Sequence, residues 1–303
     1  MTGPNCRACG ANNEKQFIRA PYVFGGSPEH KFWECRECGL IYLWPIPSEE
    51  EEALFYAKEF EKFMSTRSGG DRDWSKAEAH IKTNQDQVKR RWNFLEKYLA
   101  RGKEILEIGC SSGFMLDAFK EAGLRPIGIE PSGTFRDFLK KKGHEVYDQI
   151  QELILKRPTL KFDLIVHFFV LEHIRNTKEF FQQHLKLLKP SGSIIAEVPC
   201  VNDPLTSLYK ISAFEKFYWS IAHHYYFGPK SLSHILDQID CKYEFLPEQR
   251  YDLSNHLVWM LEGKPGGQGK YSHIFSKATI DSYKKDLINS WCCDTLFLYV
   301  TKR

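Results

Sequence analysis

Between residues 104 and 198 the sequence alternates short apolar runs with amphipathic stretches, and this restricts the chain more than any other feature. Runs at 104–108, 126–130, 145–147, 162–167 and 193–198 read as strands. Residues 114–121, 133–142 and 177–188 read as helices, the first of them ended by Gly123. Strand and helix in alternation imply a doubly wound, Rossmann-like parallel sheet of the α/β class. A further strand is expected at 295–301.

A chain of 303 residues accommodates such a domain together with a smaller module. Residues 49–62 and 74–100 read as helical, with Ser48 as an N-cap before a run of glutamates and Val88, Trp92, Leu95 and Leu99 at helical spacing. Three regions are therefore expected: residues 1–45, a helical linker or cap at 46–100, and the α/β domain from 101 to 303 with a substrate lid at 200–230. No apolar run approaches the roughly 20 residues that span a bilayer. Residues 1–5 lack a basic-then-apolar leader pattern, so a cytoplasmic protein without a membrane span is expected. The net charge of +3, from 42 basic and 39 acidic residues, is too small a bias to imply nucleic-acid binding.

Cys6-x-x-Cys9 and Cys35-x-x-Cys38 are each followed by glycine, Gly10 and Gly39. Tetrahedral zinc takes four thiolates, and each such knuckle delivers two from a tight turn. A zinc ribbon is expected over 1–45, with a closed and therefore structural metal site. The cysteines at 110, 200, 241, 292 and 293 read as ordinary buried thiols.

The loop 109–113 lies between a strand and a helix. Gly109 lets the chain turn off the strand, and Gly113 lets the helix start close to the sheet, which leaves room for a ligand against backbone amides. Glu130, at the end of the next strand, is placed to accept hydrogen bonds from both hydroxyls of a ribose. The two features together point to a nucleoside; the turn lacks the G-x-G-x-x-G spacing of a nicotinamide enzyme.

Residues 106–114 (LEIGCSSGF), 128–132 (GIEPS), 162–166 leading to 170–174 (VLEHI), and 188–193 (LKPSGS) together resemble the class I S-adenosylmethionine methyltransferases. Ser111 stands where many members have glycine. The resemblance implies S-adenosylmethionine as cofactor. Glu107 and Gly109 would lie beside its methionine moiety, Cys110, Ser111 and Gly113 would complete the cofactor-binding loop, Glu130 would bind the ribose, Asp148 would lie near adenine, and His167 and Phe168 would line the pocket. Glu172 and His173 read as active-site residues or as a helix start.

Methyl transfer is a direct displacement that requires alignment and exclusion of water, with a base only where the nucleophile has a proton to lose. The aromatic segment 219–227 reads as the lid, and histidine suits the base role, which makes His223 and His224 candidates. The ribbon, followed by Cys38-Gly39-Leu40-Ile41-Tyr42 and Pro45, Pro47-Ser48-Glu49-Glu50, further resembles a group that includes sugar C-methyltransferases acting on nucleotide-linked keto-sugars. Their Glu-His-x-x-Tyr-Phe run compares with Ala222-His223-His224-Tyr225-Tyr226-Phe227, which favours His223 over His224 and adds Tyr226. Ala222 replaces the acid, and the further C-terminal domain of those enzymes has no counterpart here. The expected activity is methyl transfer, to oxygen or carbon, on a small polar acceptor such as a sugar or nucleotide-linked sugar. The alternative is an RNA base methyltransferase that uses the ribbon to bind RNA. Tyr56 and Phe60 are candidates for closing over the site.

Overall fold

The computed structural model describes residues 3–55, 63 and 77–303. Its larger sheet has seven strands: β4 (Glu104–Ile108), β5 (Arg125–Ile129), β6 (Glu145–Tyr147), β7 (Phe162–Phe168), β8 (Leu188–Pro199), β10 (Cys241–Glu248) and β11 (Thr295–Lys302). They lie in the order β10-β11-β8-β7-β4-β5-β6. The five strands β8, β7, β4, β5 and β6 are parallel, and β11 and β10 extend the sheet antiparallel to their neighbours. Chain order reverses between β4 and β7, so the carboxyl ends of these strands open the crevice in which doubly wound folds bind ligands.

The central strands are apolar along their length because helices cover both faces. One layer buries Leu106, Ile129, Ile165, Ile194 and Phe181; the other buries Ile105, Phe114, Phe119, Val166 and Leu95. The turn expected before the fifth strand is an irregularity inside β8, where pairing jumps from Phe162↔Leu188 to Leu164↔Ser193. Gly192 is required there, since a Cβ would sit 2.8 Å from the Phe162 carbonyl oxygen.

The smaller sheet joins β1 (Gln16–Ala20), β2 (Lys31–Cys35) and β3 (Ile41–Trp44) with β9 (Tyr225–Tyr226), a two-residue strand from the expected lid. Ile41 pairs with Tyr226 and Tyr42 with Tyr225. Trp33, Leu40 and Tyr42 also belong to the same buried cluster as Leu106 and Ile165. The N-terminal sheet is thus continuous with the main core.

Ser48 caps Glu49–Leu54 with a full capping box: its Oγ accepts from Glu51 N and its own N–H donates to the Glu51 carboxylate at 2.6 Å. Tyr56 and Phe60 lie outside the described residues. The single helix expected over 74–100 is divided: Ala77–Thr83 and Gln85–Leu95 meet at Asn84, whose side chain bonds the His80 carbonyl, and a 3₁₀ turn follows at Glu96–Tyr98. β10 and the helices Ile150–Lys156, Pro229–Leu236, Leu253–Glu262 and Lys277–Asn289 add to the elements read from sequence. Among the described residues no helix is long and apolar enough to cross a membrane.

Candidate active site

The loop after β4 is tied to β5 through backbone bonds from Gly109 and Cys110 to the Ile129 carbonyl. Both flanking glycines have positive φ, +70° at Gly109 and +80° at Gly113. A Cβ at Gly109 would lie 2.6 Å from Val170 Cγ2, and one at Gly113 would lie 2.2 Å from Leu139 Cδ2. The glycines are therefore needed for close packing as well as for backbone conformation. Cys110 contributes its backbone to the loop; its buried sulfur packs where a Cβ at Gly128 would go.

Glu130 closes the loop. Its Oε2 accepts from Ser111 N at 2.7 Å and its Oε1 from Ser132 N at 2.8 Å. One carboxylate thus joins the turns after β4 and β5, and each oxygen keeps a further lone pair. Arg136 bonds the Glu130 and Pro131 carbonyls and pairs with Asp148 at 2.8 Å, which places Asp148 beside the same rim.

Ser111 has φ +49°, a left-handed conformation that costs a side-chain-bearing residue about 1–2 kcal/mol. Ser111→Gly keeps the N–H that Glu130 uses and relieves that strain, against the greater freedom of glycine in the unfolded chain. A net gain of about 0.5–1 kcal/mol is expected, read as a higher melting temperature; a lower one would mean that the serine hydroxyl holds the loop.

Glu107, on β4, is buried, and its Oε2 has no hydrogen-bond partner among the described residues. Burial pushes its carboxyl up to about 8, outweighing the opposing pull of Arg91. A buried acid with an unmet acceptor calls for a partner that these contacts do not supply.

Arg90 and Arg91 join the cap helix to the sheet, a link that no local pattern in the sequence reveals. Both guanidinium groups grip the buried carboxylate of Glu197 on β8, Arg91 Nε at 2.8 Å. Burial alone would raise Glu197, but Arg91 and Arg90 outweigh it and hold the carboxylate below its usual range. Arg91 also lies 4.1 Å from the Phe168 ring centroid, which fixes Phe168 at the crevice end of β7. His80, in the preceding helix, bonds Ser112 Oγ at 2.8 Å, so the helical segment is anchored to the loop at one end and to β8 at the other.

His167 departs from expectation. Side chains alternate along a strand, and where Phe168 faces the arginines, His167 faces the helix Thr177–Leu187. It is fully buried, with its ring 5.2 Å from Phe180, and burial lowers its pKa to about 3. It is a neutral core residue and does not line the crevice.

The three lid candidates separate clearly. Tyr226 donates its hydroxyl to the Tyr218 carbonyl, accepts from Ser220 N, and packs edge-on against Phe32 at 5.1 Å. Its hydroxyl braces segment 218–226, and its ring and backbone join that segment to β2 and β3. His224 accepts at Nδ1 from Arg7 (3.4 Å) and pairs through Nε2 with Glu52, so both ring nitrogens are engaged in the joint between the first cysteine turn and the helix at 49–54. His223 stands instead with its ring 4.9 Å from that of His173, next to the Val170–Glu172 turn that packs on Gly109.

Cys6, Cys9, Cys35 and Cys38 converge, with Sγ separations of 3.6 Å for Cys6–Cys38 and for Cys9–Cys35. Zinc–sulfur bonds of about 2.3 Å imply tetrahedron edges of about 3.8 Å. The two turns match: Gly10 N bonds the Cys6 carbonyl and Gly39 N the Cys35 carbonyl, and both glycines have φ +70°. Gln16 donates to Cys35 Sγ and is itself held by Tyr42. The donor set fits zinc.

A ubiquinone biosynthesis O-methyltransferase of Rhodopseudomonas palustris (strain TIE-1) is 30% identical over 98 residues, covering 31% of this chain and 39% of that protein. One from Coxiella burnetii (strain Dugway 5J108-111) is 26% identical over 110 residues, covering 34% and 47%. The chain therefore spans less than half the length of these curated relatives. A SAM dependent methyltransferase of known structure from Archaeoglobus fulgidus aligns with a TM-score of 0.46 at 22% identity, over 72% of this chain and 94% of that one. The model of a family described as methyltransferase domain matches residues 80–244, from His80 at the loop to Glu244 in β10. That stretch is more than half of the chain, includes both turns joined by Glu130, and makes this protein a member of the methyltransferase domain family.

Proposed function

We propose that the chain transfers a methyl group from S-adenosylmethionine to an oxygen of a small polar acceptor, with sugars and nucleotide-linked sugars as the first class to test. The observation that carries this reading is the pairing of Glu107, buried with an unmet oxygen, with the Glu130 carboxylate across the glycine-framed loop. Two buried carboxyls, one with an unmet oxygen and one with lone pairs to spare, suit a ligand with a cationic end and a ribose. S-adenosylmethionine, when bound, supplies a methyl group activated by a positive sulfur.

Glu107 would face the methionine end, and Gly109, Cys110, Ser111 and Gly113 would admit it against their backbone. Glu130 would accept the ribose hydroxyls through its remaining lone pairs, with Asp148 at the adenine rim. Phe168, pressed by Arg91, would exclude water from the strand ends. His223, rather than His224 or Tyr226, would meet the acceptor. Transfer to oxygen is supported by the partial likeness to O-methyltransferases, and the sugar class by the resemblance of the ribbon and lid. Zinc in the four-cysteine site would be structural, since four thiolates leave no open position.

Titration calorimetry with S-adenosylmethionine tests this directly. Glu130→Ala removes the ribose acceptor and leaves the amides of Ser111 and Ser132 unpaired. At about 1.5–3 kcal/mol per charge-assisted bond, affinity should fall at least 10- to 100-fold. Labelled-methyl turnover against nucleotide sugars, phenols and RNA then assigns the acceptor. Equal affinity in the variant would remove the ribose assignment, and turnover on RNA alone would remove the small-molecule acceptor.

A further inference from the structure

Glu172, His173 and His223 each offer one ligand atom, and no two of these atoms are more than 4.8 Å apart. We propose that these three side chains form a second metal site, holding a divalent cation that binds the acceptor through its oxygens. The inference rests on the reading of this crevice as the acceptor side of a methyl-transfer site.

Three features support it. First, the orientation of His173 is fixed: a carbonyl can only accept, so the 2.5 Å contact from His173 Nδ1 to the Ala222 carbonyl makes Nδ1 the donor and directs the Nε2 lone pair away from it. A ligating histidine is commonly held this way by an outer-shell acceptor. Second, the two segments that supply the ligands are joined to each other. His224 N donates to the Glu172 carbonyl at 2.7 Å, and Leu43 N to the His224 carbonyl at 2.9 Å, so the ribbon sheet holds His223 opposite Glu172 and His173. Third, the donors differ from the other metal-type cluster among the described residues. Four sulfurs make a closed site; two imidazoles and one carboxylate suit Zn²⁺, Co²⁺ or Mn²⁺ and leave coordination positions open for a ligand. Ligands about 2.0–2.2 Å from an ion stand roughly 3–4 Å apart, a small side-chain movement from the present spacing.

Val170, two residues before Glu172, is the side chain that packs on Gly109, so the cluster adjoins the cofactor loop. A cation here selects acceptors with two neighbouring oxygens, such as a vicinal diol or a hydroxyl beside a carbonyl. Ligation lowers the pKa of the bound hydroxyl, as it does for metal-bound water. The hydroxyl proton leaves to solvent and the oxygen pair forms the new C–O bond. The methyl–sulfur bond breaks as its electron pair returns to sulfur.

Cobalt reports the two sites separately. In protein whose four-cysteine site is loaded with zinc, one equivalent of Co²⁺ should bind and give visible ligand-field bands without thiolate charge transfer. Losing an outer-shell partner costs metal affinity about 10- to 100-fold, so His173→Gln and Glu172→Gln should each weaken cobalt binding at least that much. Circular dichroism and S-adenosylmethionine affinity, expected within about twofold of wild type, show that each variant is folded. No cobalt uptake by the wild type, cobalt bound only with thiolate charge transfer, or equal uptake by folded variants would each overturn the site. S-adenosylmethionine binding by the same wild-type sample decides the methyl-transfer reading independently of cobalt.

Discussion

Protein freed of the ion proposed for Cys6, Cys9, Cys35 and Cys38 should lose the order of residues 225–226 along with that of its first three strands. A structural zinc contributes on the order of 10–16 kcal/mol in small domains, as much as the whole stability of many folds. Without it, four thiols in contact distance are a poor substitute for a core. β3 is the partner of β9, and its loss leaves the backbone groups of Tyr225 and Tyr226 unpaired. Arg7, next to Cys6, also bonds the Arg175 carbonyl, which in turn takes the Tyr225 hydroxyl. The disturbance should therefore travel to His223, while Glu107, Glu130 and the two loop glycines, held within the parallel sheet, stay in place. Hydrogen exchange should rise over residues 3–44 and 220–228. Turnover should fall at least about 100-fold, and cofactor affinity should change less than about fivefold. A Cys6→Ser, Cys38→Ser variant should reproduce the pattern without a chelator. Unchanged exchange at 220–228 in the metal-free protein would show that this segment stands without the four-cysteine module.

The parts of this molecule legible in sequence are those in which a residue's surroundings come from its own neighbours. β4, β7 and β8 are covered on both faces and so read as apolar runs; Gly109 and Gly113 are needed by the turn they form. β10 is an edge strand with exposed Lys242 and Glu244 and with Pro247 tolerated at its end, and it carries no comparable signal. β9 is two residues long and exists because β3 offers it an edge. The grip of Arg90 and Arg91 on Glu197 links positions 106 and 107 residues apart, which no local pattern reveals. His167 was legible in principle. The alternation of a strand places it opposite Phe168, so the two could not both face the crevice. The aromatic segment 219–227 carries residues capable of catalysis, yet Tyr226 spends its hydroxyl on its chain neighbours Tyr218 and Ser220, and His224 spends its ring nitrogens on Arg7 and Glu52. A single sequence shows which residues can do chemistry and not which of them a neighbouring element has already engaged.

Cofactor binding at neutral pH should expel nearly one proton from the protein, and Glu107 should be its source. Burial holds this carboxyl up to about 8, so in the free protein at pH 7 it is about nine-tenths protonated. A cationic methionine end beside the unmet Oε2 favours the ionised form and draws the pKa down. Affinity should then rise about tenfold per pH unit up to about pH 8 and level off above it. The effect on folding has the opposite sense. The folded pKa lies above the ordinary carboxyl value of 4.5, so between these limits the unfolded chain binds fewer protons than the native one. Glu107 therefore costs stability progressively as pH rises from about 4.5 to about 8, and nothing further beyond. Glu107→Gln should remove both dependences at once: a higher melting temperature for the free protein above neutrality, no proton release, and cofactor affinity weaker by about 10- to 100-fold and flat with pH. Calorimetry in two buffers of different ionisation enthalpy counts the released protons. Wild-type protein that binds S-adenosylmethionine at pH 7 with no proton release would place the cationic end of the ligand away from Glu107. The stability difference between the two proteins above neutrality would then reflect burial of the carboxyl alone.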